Sequence, residues 1–536
     1  MDKRFFLLLF IIILLNKFSI AQYNDTVIRV EKNEGWWGGP VSLGYHMPMG
    51  DEPVEFELYG DHSGNQSSPL LISSTGRWIW SESPFAFRFQ SDSLIIKSQT
   101  GVLLAGKKGN SLRDAYRYAS QQFFPTTGQW PDSLLLQSPQ YNLWIELMYN
   151  PNQGDVLNYA KQVVNHKLPT GVLMIDDNWS DYYGSFDFSQ EKFPDPSQMI
   201  QQLHTMGFKV MLWICPFISP DSEAFRELSS KKMLLLDNEG NRRFTWKQAN
   251  KPLLIKWWNG YSACLDLTNP EAQLWLKSRL DALQHKYGVD GFKLDAGDAG
   301  FYTDSNLVSY KQVLPNEHTQ AWAEIGLHYP LNEFRAMWKM GGKPLVQRLS
   351  DKAHNWNDLR LLIPNTITQQ LEGYTFTCPD MIGGGEFSSF LPGNKIDQKM
   401  IVRSAQIHAL MPMMQFSVAP WRILDSVHLQ AVLESVMLRQ RLMPLIMEVI
   451  HQSVVTGEPA IRNLEYNFPH QGYMKVVDQF MLGNKLMVAP LVSSTDVRTV
   501  VFPKGKWKCR NKIIKGPTQR NFKVALDELL YFEWIP

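Results

Sequence analysis

Short runs in which apolar and polar residues alternate characterise the first part of the chain, from residue 22 to about residue 138. The alternation is clearest at 85–89 and 93–96, and Gly, Pro, Ser and Asp separate successive runs. A period of two places one set of side chains on each face of a strand. The pattern therefore predicts an antiparallel β-sandwich over residues 22–138.

From residue 139 the pattern changes to short, continuous apolar runs that alternate with helical periodicity. The strand-like runs are 141–148, 171–176, 208–215, 289–294 and 374–378. The helical runs are 154–166, 196–206, 270–287, 359–370 and 424–448. Such alternation is typical of parallel α/β architecture, and its length predicts a (β/α)8 TIM barrel over 139–450. Strand-like runs return afterwards, and they predict a C-terminal β domain over 451–536.

Residues 1–21, MDKRFFLLLFIIILLNKFSIA, combine a basic start, an apolar run and small residues before Gln22. This pattern predicts a secretory signal peptide that is cut after Ala21. The apolar run is too short to span a bilayer comfortably, so we expect no membrane anchor. The mature protein is accordingly expected to be secreted or periplasmic.

The nearly neutral net charge of the chain gives no electrostatic reason to expect a nucleic acid partner. The chain has 53 basic and 52 acidic residues, for a formal net charge of +1. Its aromatic content is high, with 18 Trp, 19 Tyr and 29 Phe. Tryptophan rings stack well on the C–H faces of sugars, although core packing also accounts for many of them. The four cysteines are widely spaced and match no zinc-binding pattern.

Acidic residues follow several of the predicted barrel strands. Asp176 and Asp177 end the second strand, Asp295 ends a later one, and Asp380 ends another. A single Asp after a strand is usually a helix cap, but several acids on one rim of a barrel indicate a functional site. Lys293 lies two residues before Asp295 and shares its face of the strand. Its ammonium would help to keep Asp295 ionised.

Paired carboxylic acids in a secreted, tryptophan-rich barrel suggest glycoside hydrolysis. That chemistry needs one ionised carboxylate and one protonated carboxylic acid. The chain contains no HExxH, no GxSxG and no glycine-rich phosphate loop, so we expect neither a cofactor nor a metal ion. A secreted carbohydrate-binding protein that kept the barrel and lost catalysis is the alternative from another class.

Several long segments resemble glycoside hydrolase family 31. They are IDDNW, FPDPSQMIQQLHTMGFKVMLWICP, GFKLDAGD, LSDKAHNWNDLRLLIP, CPDMIGGG and QFMLGNKLMVAP, in the order of the family. The resemblance implies a retaining α-glycosidase with an N-terminal β-sandwich, a barrel and C-terminal β domains. KWWNGYSACLDLTNP and ALMPMMQFSVAPWR further resemble the myogenesis-regulating glycosidase branch, whose characterised member acts on α-galactosides. This likeness implies an exo-acting α-galactosidase with an oligosaccharide or glycoside substrate. α-Glucosidase, α-xylosidase and α-N-acetylgalactosaminidase activities are alternatives within the family.

The resemblance also assigns roles by position. Asp295 matches the catalytic nucleophile and Asp351 the general acid/base. The residues expected to bind substrate, by match to the motifs or location beside them, are Asp176, Asp177, Trp213, Trp258, Lys293, Arg335, Asp380 and Gln415. Two positions depart from the pattern. Asp298 stands where the branch usually carries Glu, and LSDKAHNW differs from the W-x-G-D of the wider family, which leaves Asp358 as a rival to Asp351.

Overall fold

The structure is a computed structural model that describes residues 24–61, 63–98, 102–238, 251–510 and 512–535. The predicted signal peptide, residues 1–21, lies outside the described residues. Across the described part of the chain, no helix combines the length and apolar character needed to cross a membrane.

The N-terminal part forms two four-stranded antiparallel sheets, as the alternating pattern predicts. In spatial order, the strands of the first sheet are Asn24–Arg29, Ser93–Ser98, Phe85–Gln90 and Val54–Glu57. Those of the second sheet are Trp36–Pro40, Gln66–Ser73, Arg77–Ser81 and Leu103–Lys107. Rings of the two sheets meet in the core, where the centroids of Trp36 and Phe89 lie 6.4 Å apart.

A helix at Leu112–Phe123 follows these sheets, within the region where the sequence analysis expected only strands. Its local signals are clear. Ser111 and Asp114 form a reciprocal capping box, which satisfies free N–H groups at the start of the helix. Leu112, Ala115 and Ala119 are buried at helical spacing.

Eight parallel strands form the barrel, and they follow chain order around it. Barrel strands one to eight are Gln140–Asn142, Val172–Ile175, Lys209–Ile214, Gly291–Leu294, Asn332–Phe334, Val346–Arg348, Phe376–Cys378 and Gln415–Phe416. Between strands seven and eight, the Ile382 N–H donates to the carbonyl of Gln415 at 2.8 Å. The barrel is therefore nearly closed, and the predicted fold class is confirmed.

In the described part of the chain, seven helices of ten residues or more follow these strands. They are Gln153–Asn165, Pro196–Thr205, Pro270–Tyr287, Pro315–Ile325, Trp356–Leu371, Gln398–Ala409 and Ser426–Thr456. Pro270–Tyr287 matches its prediction because both ends are marked locally. Asn269 caps its start, and Gly288, at φ 81°, ends it in the left-handed conformation that glycine tolerates. The strand predicted at 141–148 is wrong beyond Asn142, since Trp144–Leu147 is helical.

Barrel strands five and six are joined without a helix in the connection. Instead, the short strand Met337–Trp338 pairs in parallel with Gln66–Ser73 of the second N-terminal sheet. Met337 lies opposite Gln66 and Trp338 opposite Ser67. This pairing brings the N-terminal sheets against the carboxyl ends of two barrel strands.

The C-terminal part is a six-stranded antiparallel sheet. Its strands are Ile461–Arg462, Phe480–Leu482, Leu486–Val488, Val497–Cys509, Lys512–Lys523 and Tyr531–Ile535. Arg403 of a barrel helix donates to the carbonyls of Ala525 and Leu526 at 3.0 and 3.2 Å. These bonds hold the sheet against the barrel.

Candidate active site

A cavity of about 260 Å³ opens at the carboxyl ends of the barrel strands. Every predicted site residue except Asp380 and Gln415 lines it. The lining residues are Trp144, Tyr149, Asp176, Asp177, Trp213, Trp258, Lys293, Asp295, Arg335, Arg348, Asp351, Glu386 and Phe387. Residues from seven of the eight barrel strands, or from the loops that follow them, thus converge on one space.

Asp295 follows barrel strand four and is held by hydrogen bonds on both carboxylate oxygens. Trp213 donates from Nε1 to Oδ2 at 2.9 Å, and Arg335 donates from Nε to Oδ1 at 3.0 Å. The N–H of Ala296 also donates to Oδ1 at 2.8 Å. The carboxylate therefore has a fixed orientation in the cavity.

Charges around Asp295 keep it ionised. Burial opposes ionisation, but the positive charges of Arg335, Lys293 and Arg348 outweigh it and hold the pKa of Asp295 well below its usual range. An ionised carboxylate is what nucleophilic attack on an anomeric carbon requires.

Arg335 links Asp295 to the second acid of the GFKLDAGD segment. Its Nη2 donates to Oδ2 of Asp298 at 2.7 Å, so the shorter Asp side chain reaches the guanidinium directly. Its Nη1 donates to the carbonyl of Gly64, a residue of the N-terminal part, at 3.0 Å. The guanidinium also stacks over the ring of Trp258, 5.3 Å from the centroid.

Lys293 lies at the bottom of the cavity and joins barrel strands two and four. Its Nζ donates to Oδ2 of Asp176 at 2.6 Å and lies 4.0 Å from Oδ2 of Asp295. Burial disfavours the ammonium, but the negative charge of Asp176 outweighs it and raises the pKa of Lys293. Its side chain faces that of Asp295, as the spacing of the two residues in the strand predicts.

Asp177 is held on the cavity wall by neutral partners. Tyr183 donates from its hydroxyl at 3.1 Å, and Asn259 donates from Nδ2 at 2.8 Å. Burial and the nearby charge of Asp176 raise the pKa of Asp177 to about 7. This carboxyl can therefore donate or accept a hydrogen bond near neutral pH.

Asp351 follows barrel strand six and is bound by Arg348, a residue that the sequence analysis missed. Nη1 of Arg348 lies 2.6 Å from Oδ1 of Asp351, whose side chain is 40% exposed. The same nitrogen lies 2.8 Å from Oδ1 of Asp380. A charged residue in the apolar run LVQRL was the available signal, because a buried arginine needs acidic partners.

The rival acid, Asp358, has a structural role. Its Oδ2 accepts a hydrogen bond from the N–H of Ala353 at 2.8 Å, and it lies in the first turn of the helix Trp356–Leu371. It does not line the cavity. Of the two candidates, only Asp351 is placed to reach a bound sugar.

Asp380 and Gln415 lie beneath the cavity, contrary to their expected contact with substrate. Asp380 is fully buried, and its Oδ2 accepts from the N–H groups of Lys352 at 2.8 Å and Gly385 at 3.1 Å. Burial raises its pKa even though Arg348 is adjacent. Its bonding groups are thus directed at the loops around the site and away from the sugar space.

Gln415 is also fully buried, inside the barrel. Its Nε2 donates to Oε2 of Glu333 and to Oε1 of Gln140, both at 2.6 Å. The prediction placed it in the site because it lies in a segment, ALMPMMQFSVAPWR, that resembles the family. The inward direction of its side chain instead makes it part of the polar barrel core.

Four cavity residues escaped the sequence analysis besides Arg348. Trp144, Tyr149 and Phe387 form an aromatic rim, in which the Trp144 ring makes edge contacts with Tyr149 at 5.1 Å and Phe387 at 5.8 Å. Glu386, beside Phe387, accepts hydrogen bonds from the N–H groups of two following serines. The aromatic residues next to strand one were a usable signal, whereas the segment after strand seven offered none.

No cluster of metal-ligating side chains occurs among the residues that the structure describes. The site carboxylates are bound by arginine, lysine and hydrogen-bond donors. Three of the four cysteines, Cys215, Cys264 and Cys378, are buried free thiols, and Cys509 is partly exposed. The site therefore offers acid–base and nucleophilic chemistry through carboxylates.

Carboxylates and tryptophans that line one cavity at the carboxyl rim of a (β/α)8 barrel are the arrangement of a glycoside hydrolase. The chain belongs to glycosyl hydrolase family 31. Residues 135–449 match the TIM-barrel domain of that family, and residues 457–532 match its C-terminal domain.

Individual relatives agree with this assignment. The chain is 30% identical to the myogenesis-regulating glycosidase of Mus musculus over 80% of its own length and 60% of the relative. It is 23% identical to an alpha-xylosidase of Saccharolobus solfataricus over 87% of its length and 63% of the relative. It thus spans about three fifths of these curated relatives.

A solved structure shows the same fold. The dextranase of Flavobacterium johnsoniae from this family, complexed with glucose, superposes with a TM-score of 0.82 at 18% sequence identity. The match covers 95% of this chain and 66% of the dextranase.

Proposed function

We propose that this protein is a retaining, exo-acting α-glycosidase that removes a terminal α-linked sugar, with α-D-galactose as the preferred sugar. The observation that carries the proposal is the placement of Asp295 and Asp351 on one cavity, each bound by a different arginine. In this arrangement Asp295 is an ionised carboxylate deep in the site, whereas the carboxyl group of Asp351 is partly exposed and nearer to solvent.

In the proposed first step, Asp295 attacks the anomeric carbon of the bound sugar. Asp351 gives its proton to the glycosidic oxygen, so that the bond to the leaving group breaks and the alcohol departs. In the second step, Asp351 takes a proton from water, and the resulting oxygen nucleophile attacks the anomeric carbon. This releases the sugar from Asp295 with its original configuration.

The shape of the cavity supports action on terminal sugars. Its inner end is formed by Asp176, Trp213 and Lys293, each no more than 4% exposed. Trp258 and Tyr149 are 47% and 39% exposed, so they lie nearer to solvent. A terminal sugar ring would occupy the inner end, and its leaving group would extend past these aromatic side chains.

The preference for galactose rests on the likeness to the myogenesis-regulating glycosidase branch. Relatives named alpha-xylosidase and alpha-glucosidase make these the activities to test beside it. The sugars concerned differ at single substituents, which a site distinguishes through one or two hydrogen bonds. Asp176 and Asp177, the acidic groups at the inner end, are the candidates for hydrogen bonds to the hydroxyl groups that distinguish these sugars.

A panel of p-nitrophenyl α-glycosides tests the activity and the sugar together. The galactoside, glucoside, xyloside and N-acetylgalactosaminide are each incubated with the wild type and with Asp295→Ala. Fastest release of nitrophenol from the galactoside by the wild type alone supports the proposal, and NMR of the first product should show the α-anomer. Faster release from another glycoside overturns the sugar assignment.

The same panel separates the alternative from another class. Saturable binding of a sugar without release of nitrophenol from any glycoside would indicate a carbohydrate-binding protein that lost catalysis. Release of the β-anomer as first product would overturn the retaining mechanism.

We further propose that the protein is exported, to the periplasm or the medium, after cleavage behind Ala21. The support is the basic start and apolar run of residues 1–21. N-terminal sequencing of the mature protein tests this, and a first residue other than Gln22 would contradict the cleavage position.

A further inference from the structure

Two amide side chains from the N-terminal part reach the peptide groups behind the active site. Asn65 donates from Nδ2 to the carbonyl of Arg335 at 3.0 Å and to that of Arg348 at 3.1 Å. Gln66 donates from Nε2 to the same two carbonyls, at 2.5 and 3.1 Å. Asn65 is 4% exposed and Gln66 is fully buried. We call Asn65 and Gln66 the amide clamp.

Further bonds from the same segment act on the same two loops. Oδ1 of Asn65 accepts from the N–H of Ser350, the residue before Asp351, at 3.1 Å. The carbonyl of Gly64 accepts from Nη1 of Arg335 at 3.0 Å. Both polar atoms of the Asn65 side chain, Oδ1 and Nδ2, are thereby directed at the ends of barrel strands five and six.

The clamped residues are the ones that orient the two candidate catalytic carboxylates. Arg335 holds Asp295 at 3.0 Å, and Arg348 holds Asp351 at 2.6 Å. Strands five and six, unlike most consecutive strands of this barrel, have no helix packed over their connection. In this connection, the short strand Met337–Trp338 pairs instead with the N-terminal strand Gln66–Ser73. This pairing places the amide clamp beside the ends of barrel strands five and six.

We propose that the amide clamp is a positioning pair, which sets the placement of Arg335 and Arg348 and through them the separation of the nucleophile from the acid/base. The inference rests on the glycosidase function proposed above. Double displacement needs its two carboxyl groups at a defined separation, about 5–5.5 Å in retaining enzymes. Asn65 and Gln66 each bond to the carbonyls of both Arg335 and Arg348. The amide clamp therefore fixes the position of one arginine relative to the other, and with it the distance between the two carboxyl groups.

The test compares three substitutions at Asn65 in the full chain. Asn65→Ala removes the donated and accepted bonds, and Asn65→Asp places a carboxylate against two carbonyl oxygens while it keeps an acceptor for Ser350. Asn65→Ser is the mildest change, because the serine hydroxyl can still donate a hydrogen bond to one of the two carbonyls. With the best p-nitrophenyl glycoside we expect kcat to fall by up to about 10²-fold for Ala and Asp and less for Ser. KM should change by less than about threefold, because the residues at the inner end of the cavity stay in place.

Asn316→Asp is the matched control. Asn316 is a fully buried amide that also bridges to the N-terminal part, since it donates to the carbonyl of Leu58 at 2.8 Å and accepts from the N–H of Gly60 at 3.0 Å. It bonds to neither arginine. Thermal unfolding of each variant gives the loss of stability, and Asn316→Asp should lose stability while kcat stays near that of the wild type.

The outcomes are distinct. A fall in kcat at Asn65 that Asn316→Asp does not share, at similar loss of stability, supports the positioning role. Wild-type kcat in the folded Asn65 variants, or an equal fall in Asn316→Asp, overturns it while the glycosidase function stands. A wild type that is inactive on every glycoside overturns the proposed function, and this inference with it.

Discussion

Arg348 places a single guanidinium nitrogen, Nη1, 2.6 Å from Asp351 and 2.8 Å from Asp380. Asp380 is fully buried and Asp351 is partly exposed, so the arginine connects the interior of the barrel to the rim of the cavity. Its Nε also lies 3.5 Å from Oε1 of the buried Glu333. Removing it would leave Asp380 and Glu333 without their nearest cation.

We therefore expect Arg348→Met to reduce the free energy of unfolding by roughly 3–5 kcal/mol, the usual cost of breaking a buried ion pair from one side. Urea denaturation measures the loss. Asp380→Asn should offset part of it in the double variant, because it removes one of the uncompensated charges. Strict additivity of the two single variants would contradict a direct coupling between Arg348 and Asp380.

Loss of the proposed nucleophile gives the most direct prediction. Asp295→Ala should lower kcat by about 10⁴-fold or more on the preferred glycoside, because it removes the carboxylate proposed to attack the anomeric carbon. Added azide should restore turnover with an activated aryl glycoside and give a β-glycosyl azide, since the small anion enters from the vacated face. Asp358→Asn, whose side chain serves a helix start, is the control. Substantial activity in Asp295→Ala without azide would show that the nucleophile lies elsewhere.

The proposed acid/base role of Asp351 predicts that activity depends on the leaving group. Asp351→Ala should lower kcat/KM by about 10²–10⁴-fold on a disaccharide, whose leaving alcohol needs a proton, in line with the usual contribution of general acid catalysis. A dinitrophenyl glycoside leaves without protonation, so its first step should be far less affected. Burst kinetics with the dinitrophenyl glycoside would reveal slow release of the sugar from Asp295. Equal losses on both substrates would argue against Asp351 as the acid.

The contact between Arg335 and Asp295 predicts how activity depends on pH. The folded-state pKa of Asp295 lies below its ordinary value of 3.8, so its ionised form contributes stability above that pH. This contribution is lost as pH falls through the folded-state pKa. The acidic limb of the kcat/KM profile should accordingly lie below pH 3.8 in the wild type.

Arg335→Gln removes the positive charge nearest to Asp295 and should move that limb to higher pH. It should also lower the free energy of unfolding above pH 3.8, where ionised Asp295 contributes stability in the wild type. Arg279→Gln, which changes an exposed arginine on a barrel helix, serves as the control. An unshifted limb in Arg335→Gln would mean that another group sets the acidic side of the profile.

Trp258 offers a test of sugar or leaving-group contact. It lies in the turn of a hairpin formed by Ile255–Trp257 and Gly260–Cys264, and it is 47% exposed at the cavity. Trp258→Ala should raise KM by roughly threefold to tenfold, from the loss of about 0.5–1.5 kcal/mol of ring contact. Tyr261→Ala, on the same hairpin and outside the cavity lining, should leave KM unchanged. Equal KM values for the Trp258→Ala variant and the wild type would place the substrate away from this ring.

Much of the barrel could be predicted because its signals are local. The helix Pro270–Tyr287 carries Asn269 at its start and Gly288 at its end, and these two residues decide its length wherever it packs. The strand Gly291–Leu294 reads as a continuous apolar run that ends in an acid. The helix Leu112–Phe123 had an equally clear capping box and was missed only because the surrounding alternation favoured strands.

The site was predicted in part. Strand ends indicated Asp176 and Asp295 as site residues, and both line the cavity, because parallel strands of a barrel end on one rim. Asp351, which was assigned by the family resemblance, lines it too. The strand-end rule misplaced Asp380, and location beside a family motif misplaced Gln415. Whether a residue at a strand end faces the cavity or the barrel core depends on the exact turn of the backbone, and Asp380 adopts φ 76°, which redirects it.

The sequence by itself determined the fold class and the family, and it named Asp295 and Asp351 as candidate catalytic acids with Asp358 as a rival to Asp351. Periodicity, helix caps and contiguous motifs are properties of neighbouring residues, which is why they could be recognised without the structure. Tertiary structure alone decided how those acids are held. Asn65 and the arginines that it contacts lie 270 and 283 positions apart in the chain. Contacts over such separations depend on which strands pack together in the folded protein. Here they depend on the N-terminal strand Gln66–Ser73, which pairs with the connection between barrel strands five and six, where no helix is present.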